Sequence, residues 1–214
     1  MHFVLTEEQA MIGETARAFF AENATSERTR AAMAADGIDA ALWSAFCHEL
    51  GLSGIGIPES AGGAGLGLVE LAIIAEAAGA EQQAAHLPGL LSGETIAAYV
   101  HDAGLAADGD TLTGEAGFVA HGASAQLLVV TSSTGAWIVP ADAPGVTVTA
   151  LTTMDQTRPY ARVTLAGAAG EPLADAAAGI AAAHRAGFVT VAAEALGGAQ
   201  ACLDRTASYA KERV

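Results

Sequence analysis

The apolar positions of the first ninety residues recur at helical spacing. Residues 6–9 (TEEQ) form a capping box, and Ile12 and Phe19 lie on one face of the helix that follows. A second helix is predicted from Asp39 onward and a third over residues 68–78. The N-terminal part of the chain is therefore expected to be helical.

A glycine-rich run over residues 51–67 joins the second and third predicted helices. A phosphate loop requires a lysine followed by serine or threonine, and this run has none. The dinucleotide fingerprint requires a preceding strand, whereas this run follows a helix. We therefore interpret it as a close-packed connection between helices.

From about residue 95 the pattern changes to short segments rich in Val, Ile, Thr and Leu, separated by Gly, Asp, Pro and Ser. Because no helical pattern lies between them, they predict an antiparallel sheet or a small barrel. The predicted strands are residues 95–100, 111–113, 127–131, 137–139, 146–150 and 162–165.

After Pro172 the pattern becomes helical again, and residues 175–210 are predicted to form one long helix. Nothing follows in the sequence against which such a helix could pack. We therefore expect it to contact another chain or further residues, and we expect an oligomer.

Composition and charge exclude several classes of function. Lysine plus arginine number 9 against 24 acidic residues, a net charge of −15, so neither a nucleic acid nor an acidic membrane is an expected partner. Cys47 and Cys202 lie too far apart for a metal-ligand motif, and the N-terminus lacks the pattern of a signal peptide. A reduced, cytoplasmic protein without a bound metal is expected.

Three motifs occur in a distinctive order. The first is GLSGIGIPESAGGAGL from Gly51, similar to G-L-x-G-x-x-x-P-E-x-x-G-G-x-G-L. The second is TGEAGFVAHGASA from Thr113, similar to N-G-x-K-x-W-I-T-N-G-x-x-A. The third is AEALG at 193–197 with YAKER at 209–213, as in a helix that leads into R-x-Q-F-G. Together they resemble the acyl-CoA dehydrogenase family over nearly the whole chain.

The resemblance implies an α+β fold in three parts. These are an N-terminal helical domain (1–93), a middle β-domain of small antiparallel barrel or sheet (94–172) and the first helix of a C-terminal helical bundle (173–214). It also implies an FAD cofactor, an acyl-CoA substrate and a homo- or hetero-oligomer, either a dimer or a tetramer. In this family a glutamate removes the α proton of the thioester and the β hydrogen leaves as hydride to the flavin, in a pocket that excludes water.

The family's first sheet motif, A-Y-x-x-T-E-P, falls on residues 98–102 and then loses its pattern. Tyr99, His101 and Asp102 are therefore candidate FAD-binding residues by resemblance. His101 and His121 occupy the positions nearest the expected flavin, so we expect them to line the pocket.

The second motif supplies further candidate FAD-binding residues. The family's tryptophan beside the flavin falls on Phe118, and the isoleucine that follows falls on Val119. The hydroxyl residue that hydrogen-bonds the flavin falls on Ala120, which has no hydroxyl to offer. Phe118–Ala120 are expected to line a groove at the edge of the β-domain that faces the long helix of this chain or of its neighbour. Arg213 matches the arginine that reaches the FAD diphosphate of a neighbouring subunit.

The catalytic base cannot be assigned. The family carries it in a helical bundle after the position of Arg213, and Glu59, Glu76 and Glu194 fit structural or solvated roles better. The N-terminal domain is also short around residues 81–92. Either the natural chain is reduced or the sequence is part of a longer one.

Three functions remain open on this resemblance. The chain is an FAD-dependent acyl-CoA dehydrogenase, or one subunit of one, in which case its departures resemble the divergent heteromeric enzymes of bacteria, including those acting on steroid side chains. Alternatively, it is a non-catalytic partner subunit. The third option is a related flavin oxidase or monooxygenase on the same fold.

Overall fold

The structure, a computed structural model, describes residues 7–35, 37–51, 53 and 80–213. Its helices are α1 (Glu7–Asn23), α2 (Ser26–Ala34), α3 (Ala40–His48), α4 (Ala80–Ser92) and α5 (Ala176–Glu212). The helix predicted over 68–78 and most of the glycine-rich run lie outside the described residues. The sequence pattern did not predict α2 or α4.

Helix starts follow from side chains that cap free backbone amides. Asp39 Oδ1 accepts from the Leu42 amide at 2.9 Å and so begins α3 where the sequence predicts a helix. Arg28 Nε donates to Asp39 Oδ2 at 2.7 Å, and this hydrogen bond holds the pKa of that carboxyl below its usual range. Asp175 Oδ1 accepts from the Ala178 amide at 3.2 Å and begins α5.

The β-region forms two four-stranded sheets, one in the order β1-β4-β5-β8 and the other in the order β2-β3-β7-β6. All six predicted strands occur, but β3 and β7 are longer than expected and β2 and β8 were not predicted. The strands are β1 (Ala97–His101), β2 (Ala106–Asp108), β3 (Thr111–Ala120), β4 (Leu127–Thr131), β5 (Ala136–Pro140), β6 (Val146–Leu151), β7 (Tyr160–Ala169) and β8 (Glu171–Pro172), with a 3₁₀ turn at Gly122–Ser124.

One pairing corrects the expectation of a purely antiparallel sheet. Strands β1 and β4 pair in parallel, with Ala97 opposite Leu127 and His101 opposite Thr131. Parallel neighbours need a long crossover. The chain provides it by crossing to the other sheet for β2 and β3 before it returns as β4.

Strand β4 lies between β1 and β5 in its sheet and is buried at all five positions. Leu128 and Val130 point into the core between the two sheets. Leu127 and Val129 point the other way, into a second core that includes Ala183 of α5. Burial on both faces explains why β4 is a continuous apolar run rather than an alternating one.

Helix α5 has buried residues only in its first turns. Gly179 and Ala183 are buried, whereas every residue from 188 to 213 is exposed. An 18-residue window of this helix reaches a mean hydropathy of 1.3, so by length and composition alone it is able to cross a membrane. A core helix of a soluble protein also meets this criterion of length and hydropathy.

Candidate functional site

A β-bulge in β3 turns Phe118 toward solvent. Ala116 pairs with Val163 and Val119 pairs with Ala161, so β3 has one residue more than β7 between these pairs. Without this extra residue Phe118 would share the inward face of Ala116. With it, Val119 takes the inward position and is 2% exposed, while Phe118 is 77% exposed.

Phe118 and Ala120 therefore lie on the outer face of the end of β3. The Phe118 ring contacts Tyr160 edge-to-face, with centroids 6.2 Å apart. Ala120 is exposed and borders a cavity together with His121. The Val119 side chain packs in the core between the sheets, so of the three candidates only Phe118 and Ala120 present side chains to a ligand.

Tyr99 and His101 belong to a network of side-chain hydrogen bonds that links the β-domain to α5. His101 Nδ1 lies 2.8 Å from Thr131 Oγ1, and the Thr131 hydroxyl donates to the Tyr99 hydroxyl at 3.2 Å. The Tyr99 hydroxyl lies 3.3 Å from His184 Nε2 on α5. The Thr131 and Tyr99 hydroxyls can each both donate and accept, so each is able to join two partners.

The same residues form an open aromatic surface. The Tyr99 and His101 rings are stacked, with centroids 5.7 Å apart and planes 7° apart. His184 meets both rings edge-on, and Phe188 follows it one helical turn later. Because His101, His184 and Phe188 are exposed, a planar ligand has flat ring faces available here.

Besides the apolar packing of its first turns, two polar contacts join α5 to the edge of the β-domain. One is Tyr99 with His184, and the other is the ion pair of Arg158 with Glu194. Ten residues of α-helix separate His184 from Glu194, which corresponds to about 15 Å. Phe188 lies between these two contacts and is 77% exposed.

His121 directly follows the end of β3 and lies near Arg158, which pairs with α5. Its backbone has a left-handed φ of 54°, and its amide donates to the Pro159 carbonyl at 2.8 Å. Burial, with a smaller contribution from the nearby Arg158, lowers the pKa of the imidazole. His121 is therefore neutral at physiological pH.

The remaining two candidates do not join this site. Asp102 Oδ1 accepts from the Gly104 amide at 2.9 Å and closes the turn after β1. Arg213 stands at the end of α5, with its guanidinium 5.3 Å from the Tyr209 ring centroid. It lies 29 residues beyond His184, or about 44 Å along the helix, so one chain does not bring it to Tyr99.

Sequence reasoning missed three groups that the fold brings to this region. Thr131 is a fully buried polar residue that joins His101 to Tyr99, and its place at the end of an apolar strand gave no chemical signal. His184 and Phe188 interrupt an alanine-rich helix at a spacing of four, which marks one helix face. Among the described residues no group of three or more His, Cys, Asp or Glu side chains is placed to hold a metal ion.

Comparison with known proteins identifies the family. The model of the acyl-CoA dehydrogenase N-terminal domain matches residues 6–104. Acyl-CoA dehydrogenase IpdE2 of Mycobacterium tuberculosis is 33% identical over 97% of this chain and 65% of its own length. The protein of that name from Mycolicibacterium smegmatis is 31% identical over 98% of this chain and 67% of its own length. The chain belongs to the acyl-CoA dehydrogenase family.

Solved structures share the fold of this chain. A variant of the Tcur3481-Tcur3483 steroid ACAD is 29% identical, covers 81% of this chain and 58% of its own, and superposes with a TM-score of 0.70. The ChsE4-ChsE5 complex from Mycobacterium tuberculosis is 22% identical over 82% of this chain and 60% of its own, with a TM-score of 0.68.

These similarities confirm the sequence resemblance and the α+β fold class of a helical domain followed by a β-domain. The chain spans about two thirds of the length of its curated acyl-CoA dehydrogenase relatives. The division into domains at residues 93 and 172 and the assignment of the site residues stay predictions.

Proposed function

We propose that this chain is a subunit of an FAD-dependent acyl-CoA dehydrogenase that desaturates an acyl-CoA thioester between its α and β carbons. The observation that carries the proposal is Phe118, a large aromatic side chain that a β-bulge holds 77% exposed at the position where the family places a ring beside the flavin. Exposing a phenyl ring to water is unfavourable unless a ligand or a partner covers it.

The residues present fit the ring system of FAD in part. Phe118 with Tyr160, and Tyr99 with His101, offer aromatic surfaces near the edge that α5 follows. Ala120 offers no hydroxyl, so a hydrogen bond to the flavin from this position has to come from the backbone.

FAD bound here would supply the hydride acceptor for the β hydrogen. This chain's own part is to orient the flavin ring and exclude water from it. No carboxylate is assigned as the base that removes the α proton. Glu194 forms an ion pair with Arg158. Glu59 and Glu76 lie outside the described residues.

Arg213 supports an oligomeric arrangement of this site. Since it lies far along α5 from Tyr99, it suits a contact with the FAD diphosphate bound to a neighbouring subunit, where its planar guanidinium makes paired hydrogen bonds. We propose a homo- or hetero-oligomer, either a dimer or a tetramer, and, separately, a cytoplasmic location.

One observation favours a second candidate function, a non-catalytic partner subunit of a heteromeric acyl-CoA dehydrogenase. Ala120 replaces the hydroxyl residue of the family motif, and the other aromatic and polar positions around it also depart from that motif. A subunit with these changes keeps the fold while a related chain completes the FAD site.

The visible absorption spectrum of the full-length protein, purified without added flavin, distinguishes the dehydrogenase from the non-catalytic partner subunit. A flavin band at about one per chain supports the dehydrogenase. A colourless protein that gains a band at about half occupancy when it is co-expressed with a related subunit supports the partner. A colourless protein in both preparations contradicts the proposal.

Substitution at the bulge localises the cofactor. Phe118→Ala is expected to reduce the amount of flavin that the purified protein retains several-fold, because the substitution removes the ring that covers the flavin. Met154→Ala is the matched control, since Met154 is fully exposed elsewhere in the β-domain. Equal flavin content in the two variants would show that Phe118 does not border the cofactor.

A further inference from the structure

Thr131 is a buried hydroxyl at the end of an apolar strand. It is the last residue of β4, its exposed fraction is 0%, and the four residues before it in the strand are all Leu or Val. Within the described part of the chain, Ser53 is the one other buried polar side chain. Burying a hydroxyl without a hydrogen-bond partner is unfavourable, so a threonine at this position is expected to be held by specific partners.

The partners of the Thr131 hydroxyl come from the neighbouring strand β1. The parallel register places Thr131 opposite His101, and His101 Nδ1 lies 2.8 Å from Thr131 Oγ1. The Tyr99 hydroxyl oxygen lies 3.2 Å from Thr131 Oγ1, and the Val100 carbonyl oxygen lies 3.5 Å from it. Since the Tyr99 oxygen is the nearer of these two acceptors, Thr131 donates its proton to Tyr99.

This arrangement decides which nitrogen of His101 carries the proton. A hydroxyl has a single proton to donate, and Thr131 gives its proton to Tyr99. At the short contact with His101, Thr131 therefore accepts, and Nδ1 of the imidazole is the donor. In the neutral ring, Nε2 then keeps a lone pair, because the hydrogen bond at one ring nitrogen determines the state of the other.

The orientation of the His101 ring is also fixed. The ring is stacked on Tyr99 with planes 7° apart, and His184 of α5 meets it edge-on with centroids 5.8 Å apart. His101 is exposed, and no side chain or backbone group of the described residues is hydrogen-bonded to its Nε2. The protein thus sets both the ring plane and the tautomer of His101 and leaves Nε2 available to a ligand.

We propose that Thr131 is a positioning residue that holds His101 as the Nδ1–H tautomer, so that Nε2 accepts a hydrogen bond from a donor on the ligand that covers the stacked rings. The ligand contact rests on the proposed function, in which that ligand is FAD. The ring system of FAD offers an imide N–H and its ribityl chain offers hydroxyls, and a neutral acceptor suits either donor. Thr131 acts through His101, because its own side chain is fully buried.

The tautomer of His101 tests the role of Thr131 without flavin. Long-range ¹H–¹⁵N NMR of the full-length protein with ¹⁵N-labelled histidine distinguishes Nδ1–H from Nε2–H at about pH 8.5, where histidine is neutral. The His101→Phe variant identifies the His101 signal by its loss. We expect Nδ1–H in the wild type and in Thr131→Ser, and a shift toward Nε2–H, which free histidine favours in water, in Thr131→Val. Thr149→Val, the same change at an exposed position of β6, is expected to match the wild type.

The affinity of the flavin-free protein for FAD tests the ligand contact. Thr131→Val and His101→Phe are each expected to weaken FAD binding several-fold, the size of one neutral hydrogen bond, whereas Thr131→Ser and Thr149→Val bind FAD as the wild type does. In the His101→Phe background, Thr131→Val is expected to have no further effect, because Thr131 acts through His101. Circular dichroism checks folding, and if Thr131→Val does not fold, the wild-type tautomer and the affinity of His101→Phe decide.

Three results would overturn the proposal. The first is the Nε2–H tautomer of His101 in the wild type. The second is an Nδ1–H tautomer that persists in folded Thr131→Val, which means that Thr131 does not fix it. The third is equal FAD affinity of the wild type and His101→Phe, which removes the ligand contact. A full-length protein that binds no FAD refutes the proposed function and the ligand contact together, whereas the NMR result on Thr131 and His101 does not depend on that outcome.

Discussion

At two single residues, His121 and Phe118, the backbone conformation determines how the side chain is placed. His121 is held in a left-handed turn, close to Arg158 and facing an apolar cavity, and its pKa is lowered by that burial first and by Arg158 second. Phe118 is exposed because one extra residue shifts the alternation of β3. In both cases the residue type alone does not determine the role.

The lowered pKa of His121 makes part of the stability depend on pH. The folded protein holds His121 neutral, whereas the unfolded chain takes up a proton below about pH 6.5. Its contribution is therefore complete above that pH and is lost as the pH falls toward the folded pKa. We expect the urea midpoint to fall less between pH 7.5 and 5.5 in His121→Asn than in the wild type, since asparagine tolerates the left-handed backbone. Parallel pH profiles would contradict this assignment.

At the scale of elements, two glycines of β3 occupy positions with different requirements. Gly114 has φ of 119°, and a Cβ placed on it would lie 2.2 Å from the Gly104 carbonyl oxygen. Gly117 lies at the bulge, and a Cβ there would meet nothing within 4 Å. Backbone conformation and close approach require glycine at the first position and not at the second.

These two glycines give a matched pair of substitutions in one strand. Gly114→Ala is expected to destabilise the protein by about 2 kcal/mol or more, because it combines a disfavoured φ with a backbone clash. Gly117→Ala is expected to change the free energy of unfolding by less than about 0.5 kcal/mol. Urea denaturation of both variants measures the difference, and similar values would show that Gly114 relaxes without cost.

At the scale of the whole molecule, α5 extends beyond the domain that anchors it. Residues 188–213, which comprise most of the helix and the Arg213 that follows it, are exposed and include apolar side chains such as Val191, Leu196 and Leu203. Leaving so much apolar surface in water is unfavourable, so this part of the helix is expected to be covered by further helices or by another chain.

We therefore expect the full-length protein to be an oligomer in solution. Analytical ultracentrifugation of the flavin-loaded protein should give a mass of two or more chains. Leu196→Asp together with Leu203→Asp should shift the distribution toward smaller species, because each places a charge in an apolar contact. A stable monomer in the wild type would contradict the prediction.

The sequence predicted much of the fold because local chemistry determines local structure. The Asp39 and Asp175 caps lie at the predicted helix starts, and the apolar run of β4 appears with the predicted bounds. Prediction from the sequence failed where paired strands lie far apart along the chain. Strands β1 and β4 pair in parallel, although β2 and β3 of the other sheet lie between them in the sequence.

By itself, the sequence determined the family, the order of a helical region, a strand-rich region and a long helix, and the candidate positions Phe118, Tyr99 and His101, because these depend on periodicity, caps and motifs that are local in the chain. Only the tertiary structure decided that Phe118 faces outward and Val119 inward, since the bulge exists only against β7. It also decided that Tyr99 meets His184, because that contact requires α5 to pack on the sheet, and hydrogen bonds between distant segments leave no periodic pattern in a sequence.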